Sequence, residues 1–233
     1  MDVNRIADGL WRWTAYAEEW GKEVGCVYYE APDAIVLIDP LVPSDPSEAA
    51  RFREALDRDV SRARLPVHVY ITVFWHARSA GEVVRRYDGH LHATRRARAA
   101  NERRTGVTVE AFRPGDPLPG GIEALPTGRS TEVIYWIPEH GAVVPGDVIL
   151  GSNNGDGGLR LCPSSWLPAG IGHAQLRTAL KPLLDLPVER ILVSHGNPVT
   201  EDAQARLADA LQDDAPPRVR HGGLPPDNRS CGI

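Results

Sequence analysis

The stretch that most constrains the fold is residues 71–81, which read Ile-Thr-Val-Phe-Trp-His-Ala-Arg-Ser-Ala-Gly. An apolar segment from Val67 to Val73 has the composition of a buried strand, and the pattern predicts a helix that begins near Ser79. The polar residues between them therefore fall where a strand runs into a helix. Strands that alternate with helices in this way are typical of an α/β architecture.

The same alternation extends along the chain. The first half contains three predicted strands, then a helix that begins near Ser44 and runs to about Val60, before the segment described above. The second half repeats this order, with strands predicted at Ile122–Leu125, Val133–Ile137, Ala142–Val144 and Arg190–Val193, and helices at His173–Leu184 and Glu201–Leu211. Two β-rich halves, each followed by helices, predict a sandwich of sheets and helices.

Four short motifs end such strands, and in this order they resemble the metallo-β-lactamase superfamily. They are Ile-Asp39-Pro, the Phe74–Ser79 loop, Pro-Gly-Asp147 and Ser-His195-Gly, and the resemblance extends from about residue 4 to about residue 212. It implies an α/β (α+β) fold of the four-layer αββα type. We therefore expect one such domain over residues 1–213 and an extended tail over residues 214–233, where the composition shifts to Pro, Gly and Arg.

The resemblance also implies which metal ligands are retained. In the family's His-x-His-x-Asp-His loop, Phe74 takes the first His, His76 the second, Arg78 the Asp and Ser79 the last His. Arg129 takes the place of a third histidine. The matched ligands that remain are His76, Asp147 and His195, which belong to different metals of the family's dinuclear site. The sequence therefore predicts a degenerate site.

Arginine is a permanent cation without a lone pair for a metal. We expect Arg78 or Arg129 to pair with Asp147 and to replace the metal as the local positive charge. The remaining positive charge, with Ser79 nearby, would suit a small anionic ligand. Trp75 is predicted to form a wall of this ligand pocket, and Phe74 to fill space left by a lost ligand residue.

The loop from Gly151 to Gly170 follows Asp147, and the resemblance places it over the site. Its aromatic residue Trp166 is a candidate for ligand contact. Cys162 is interpreted as a packed thiol rather than a nucleophile, because the sequence places no base beside it.

Three functions remain open on these residues. The favoured one is a metal-free pseudoenzyme with no cofactor, without di-zinc hydrolase activity, that binds a small anion. The first alternative is a hydrolase that uses one divalent metal (zinc, manganese or iron) held by His76, Asp147 and His195. The second is a non-catalytic scaffold or partner subunit.

Composition excludes several other classes. A net charge of -5 gives no general attraction to nucleic acid or to acidic membranes. No apolar run approaches the ~20 residues that span a bilayer, and the N-terminus lacks a secretory pattern, so a cytoplasmic location is expected. The three cysteines are widely spaced and odd in number, which argues against a disulfide scaffold. The sequence does not indicate an oligomeric state.

Overall fold

The structure, a computed structural model, describes residues 1–212, so the predicted tail over residues 214–233 lies outside the described residues. The strands within this range are β1 (Asp2–Ala7), β2 (Leu10–Ala17), β3 (Lys22–Glu30), β4 (Ile35–Ile38), β5 (Val67–Tyr70), β6 (His90–Thr94), β7 (Val109–Phe112), β8 (Glu123–Pro126), β9 (Val133–Ile137), β10 (Ala142–Val144), β11 (Ile149–Gly151), β12 (Leu159–Leu161) and β13 (Arg190–Ile191). The α-helices are α1 (Pro46–Ala63), α2 (Ala80–Tyr87), α3 (Arg98–Thr105), α4 (His173–Leu180) and α5 (Ala203–Leu211).

Two sheets organise the described residues. The first has seven strands in the order β1 to β7, antiparallel from β1 to β4 and parallel from β4 to β7. The second has four strands in the order β13-β10-β9-β8, and β11 and β12 form a separate ribbon. The helices α1, α2 and α3 connect the parallel strands of the first sheet, as parallel pairing requires.

The apolar residues sort into three layers of core, because successive side chains of a strand point to opposite faces. On β4, Val36 and Ile38 pack between the two sheets, whereas Ile35 and Leu37 pack under α1 and α2. On the far side, α4 and α5 cover the outer face of the second sheet. This confirms the predicted four-layer αββα sandwich.

Local chemistry explains the helix boundaries. Asp45 accepts the backbone N–H groups of Ser47 and Glu48 at the start of α1, and Pro46 occupies the first turn, where its missing N–H costs nothing. α1 ends at Ala63, and the next residue, Arg64, caps it in a left-handed conformation with φ of 55°.

The strand predicted over Val67–Val73 is shorter in the structure and ends at Tyr70. The chain then crosses from the first sheet toward the second, where Val73 forms an isolated bridge with Glu132 and Thr72 accepts the N–H of Val133. This crossing brings the loop after β5 next to the loop after β10. Among residues 1–212, no helix is both long enough and apolar enough to cross a bilayer.

Candidate metal centre

His76 lies in a short 3₁₀ turn, Phe74–Ala77, just after β5, and its side chain is fully buried. Its Nδ1 is 2.8 Å from Oδ2 of Asp39, and Asp39 also accepts the backbone N–H of Thr72. A carboxylate acceptor assigns the proton to Nδ1 and leaves the lone pair on Nε2. The imidazole is therefore oriented with a free nitrogen toward the second sheet.

Asp147 and His195 approach the same point from the second sheet. Oδ1 of Asp147 lies 3.1 Å from Nε2 of His76 and 3.1 Å from Nε2 of His195. These three ligand atoms lie within 4.8 Å of one another. His76 and Asp147 are buried, and His195 is partly exposed.

The ligand atoms of His76, Asp147 and His195 are better placed to bind a metal ion than to form hydrogen bonds with one another. Neither Nε2 of His76 nor Oδ1 of Asp147 has a hydrogen-bond partner of acceptable geometry among the described residues, although both atoms are buried. Buried polar atoms left in this way are costly. Two imidazoles and one carboxylate are a donor set that suits zinc, manganese or iron with positions left open. The residues present therefore fit one divalent ion.

Two glycines allow the loops to reach this point. Gly146 precedes Asp147 with φ of 61°, and Gly196 follows His195 with φ of 88°. A Cβ on Gly196 would lie 2.2 Å from the carbonyl oxygen of Gly151, so only glycine fits there.

The charges in the site favour an ionised carboxylate. Burial would raise the pKa of Asp147, but the neighbouring His76 and His195 outweigh it and hold this pKa well below its usual range. Burial and the charge of Arg78 oppose protonation of His76, yet Asp39 and Asp147 outweigh them and raise its pKa.

Arg78 corrects one sequence prediction, because it does not pair with Asp147. Its Nη1 donates to the carbonyl oxygens of Gly25 and Asp39, at 3.0 and 2.8 Å, and its Nη2 donates to Oγ of Ser194 at 2.7 Å. The backbone of Arg78 has a positive φ of 36°, and its side chain reaches carbonyl oxygens of β3 and of the residue after β4.

Arg129, the other arginine predicted to pair with Asp147, does not pair with it either. Its Nη1 lies 2.6 Å from Oε2 of Glu132, and both side chains are buried. Glu132 in turn accepts the backbone N–H of Asp147 through Oε1, at 2.8 Å. Burial raises the pKa of Glu132 to about 7 despite the opposing charge of Arg129. The guanidinium thus has its own carboxylate, and Asp147 is left facing the imidazoles of His76 and His195.

A cavity of about 480 Å³ opens beside the three ligand atoms. Its lining among the described residues consists of Trp20, Lys22, Trp75, Asp147, Trp166 and His195. Arg78 and Arg129 are absent from this lining, contrary to the predicted pocket, because both guanidinium groups are held elsewhere.

Three other predicted pocket residues also lie off the cavity wall, namely Phe74, Ser79 and the fully buried His76. Phe74 packs edge-on against Trp75, with ring centroids 4.7 Å apart, as expected of a packing residue. Ser79 accepts the backbone N–H of Val42 through its Oγ. Trp75 and Trp166 do line the cavity, in agreement with the sequence.

Cys162 behaves as the packed thiol that the sequence predicts. It is fully buried, and burial raises the pKa of its thiol to about 11. The imidazole of His173 lies 2.8 Å from the carbonyl oxygen of Cys162, where it cannot serve as a base for the sulfur.

The sequence did not single out Trp20, Lys22 and Glu132, and it noted Asp39 only as part of a motif. Asp39 could have been found from the sequence, because it directly follows a strand that is parallel to β5. Glu132 could have been found as an acidic residue three positions after Arg129. Trp20 and Lys22 lie at the β2–β3 turn, and no local pattern predicts that this turn reaches the site.

Comparison with solved structures places this architecture among known folds. The chain is similar to the metallo-β-lactamase FIM-1 from Pseudomonas aeruginosa in its mono-zinc form, with a TM-score of 0.61 and 17% identity over 90% of this chain and 94% of that one. It is also similar to TMB-1, with a TM-score of 0.64 and 13% identity over 90% and 96% of the two chains. A metallo-β-lactamase from Pontibacter korlensis gives a TM-score of 0.62 and 17% identity over 91% and 99%.

The chain therefore has the metallo-β-lactamase fold. No protein-family model and no curated sequence matches it. At such low identity the likeness establishes the fold alone, and the chemistry depends on the side chains of this chain.

Proposed function

We propose that this protein is a hydrolase that uses a single divalent metal ion, bound by His76, Asp147 and His195, and acts on a small anionic molecule. The observation that carries the proposal is the approach of three ligand atoms to within 4.8 Å, two of them buried without a hydrogen-bond partner of acceptable geometry in residues 1–212. The alternative in which arginine replaces the metal loses its support, because Arg78 and Arg129 are held by other groups.

The residues have distinct roles in this proposal. His76 and His195 each offer Nε2, and Asp147 supplies the negative charge that a cation requires. Asp39 keeps His76 in the tautomer that can bind. When bound, a divalent ion of this kind lowers the pKa of a coordinated water and polarises the bond to be cleaved.

The cavity supports a flat anionic substrate. Three tryptophans form apolar walls, and the ammonium group of Lys22 lies 5.8 Å from the ring of Trp166. Its volume of about 480 Å³ lies within the range of ~300–1,000 Å³ that holds small ligands. Lys22, rather than an arginine, is the cation placed to bind the negative group.

Metal content tests the first part of the proposal. Protein purified without chelator should carry about one equivalent of zinc, manganese or iron by elemental analysis, and His195→Ala should lose most of it. His173→Ala is the matched control, since His173 lies outside the ligand set and should retain the metal. Wild-type protein that neither retains nor binds added metal would overturn the proposal.

Hydrolysis tests the second part. The metal-loaded protein should cleave at least one member of a panel of chromogenic β-lactams, carboxyl-bearing esters and thioesters, and His195→Ala should not. Lys22→Gln should raise KM for an anionic substrate while kcat changes little, because Lys22 contacts the charge and not the metal. Tight metal binding with no turnover of the panel would leave a non-catalytic binder of anions as the better description.

A further inference from the structure

Asp147 is held by contacts to its carboxylate and to its backbone. Its Oδ1 faces the two imidazoles at 3.1 Å. Its Oδ2 accepts the indole N–H of Trp75 at 2.7 Å. Its backbone N–H donates to Oε1 of Glu132 at 2.8 Å. Both ends of the residue are therefore fixed.

Arg129 closes this set of contacts into a ring. Its guanidinium lies 5.3 Å from the centroid of the Trp75 ring and 2.6 Å from Oε2 of Glu132. Arg129 and Glu132 are 5% and 1% exposed, so the ion pair is shielded from solvent. The stacked guanidinium holds the indole in the orientation from which Nε1 reaches Asp147.

We propose that Trp75, supported by Arg129 and Glu132, is a positioning residue that reserves Oδ2 of Asp147 and restricts the site to one metal ion. This inference rests on the proposed function. A carboxylate that bridges two cations through both of its oxygens needs both of them free, and here Oδ2 accepts an N–H donor. The permanently charged guanidinium of Arg129 lies next to the Trp75 ring, so it would repel a second metal ion at this position.

Metal titration of two matched tryptophan variants tests the proposal. Chelator-stripped wild-type protein titrated with Zn²⁺ should bind one equivalent. Trp75→Phe should bind it ~10–100-fold more weakly, as is typical when a group that orients a metal ligand is removed. Trp11→Phe makes the same chemical change on β2, outside the cavity and without a contact with Asp147, and should keep the wild-type affinity.

Cobalt provides a readout that a merely structural role would not change. The visible absorption of the Co²⁺-loaded protein reports the ligand field, so it should shift in Trp75→Phe and remain unchanged in Trp11→Phe. Thermal melts of the metal-free variants show whether each one is folded. If Trp75→Phe does not fold, Glu132→Gln takes its place, because Gln still accepts the N–H of Asp147 but releases Arg129, and a smaller loss of affinity is expected.

The outcomes separate the two proposals. A wild-type protein that binds no ion overturns the proposed function together with this inference. One equivalent bound with the same affinity and the same cobalt spectrum in wild type and in Trp75→Phe overturns the positioning role alone. Two equivalents bound by wild type, both lost in His195→Ala, overturn the restriction to one ion.

Discussion

Arg78 joins three segments that meet beneath the candidate metal centre. One guanidinium contacts β3 through Gly25, the end of β4 through Asp39, and the segment after β13 through Ser194. It also lies 5.7 Å from the ring of Trp20, at the β2–β3 turn that covers the cavity. Arginine suits this position because its donors form a rigid planar fork. Its role is to hold the strand ends at the correct spacing.

Arg78→Ala should therefore lower the free energy of unfolding by ~1–3 kcal/mol, because buried acceptors lose their donor. Urea denaturation measures this change. Arg58→Ala is the control: its ion pair with Glu54 is exposed, at 66% and 71% of the two side chains, and its loss should matter little. Equal stabilities of the two variants would show that Arg78 is not structurally engaged.

The residues of the site differ in how well sequence alone predicts them. His76, Asp147 and His195 were predictable because the motifs that contain them follow apolar segments and resemble those of the metallo-β-lactamase superfamily. The direction of Arg78 and of Arg129 was not predictable, since it depends on side-chain conformation and on acceptors distant in sequence. For Arg78 the deciding feature is a positive φ in a residue other than glycine.

At the scale of elements, the parallel strands β5 and β6 carry a buried histidine pair at the other end of the sheet. Nδ1 of His68 lies 2.8 Å from Nε2 of His92, and both residues are buried. The exposed Glu110 on β7 and the half-exposed His90 stand beside them. As neutral rings, the two imidazoles form one N–H···N hydrogen bond. A positive charge on either ring would be buried with little water to solvate it.

This pair makes the stability of the sheet depend on pH. Burial and then the neighbouring His68 lower the pKa of His92 to about 4, and burial also lowers that of His68. An unfolded histidine has a pKa of ~6.5, so between pH ~6.5 and ~4 the unfolded chain binds more protons and the folded state loses stability as the pH falls. In His92→Gln, the loss of unfolding free energy between pH 7.5 and 5.5 should be smaller than in wild type, by ~1 kcal/mol. Urea denaturation at both pH values measures this difference, and equal losses in the two proteins would contradict the assignment.

At the scale of the whole molecule, the two halves of the sandwich were predictable and their junction was not. The alternating apolar segments predict both sheets, because the outer face of each sheet has to be covered by helices. The junction depends on single contacts between distant residues. Arg12 of β2 donates to the carbonyl oxygens of Val193 and Gly196, at 3.1 and 2.9 Å, and Gly25 donates its N–H to Ser194 at 2.7 Å. Isolated residues of this kind leave no periodic signal in a sequence.

The candidate metal ligands come from both sides of this junction, so the ion should stabilise the molecule as a unit. His76 follows a strand of the first sheet, whereas Asp147 and His195 follow strands of the second. A ligand that binds only the folded chain adds ~2.7 kcal/mol at 100 times its Kd, which for a chain of this size is a rise in Tm of ~5–10 °C. We expect Zn²⁺ to move one cooperative transition upward by that amount in wild type and not in His195→Ala. His90→Ala, which removes a histidine on the far strand β6, should keep the full rise. A transition that splits in two, with only one part moved by zinc, would mean that the ion is held by one sheet and does not bridge the halves.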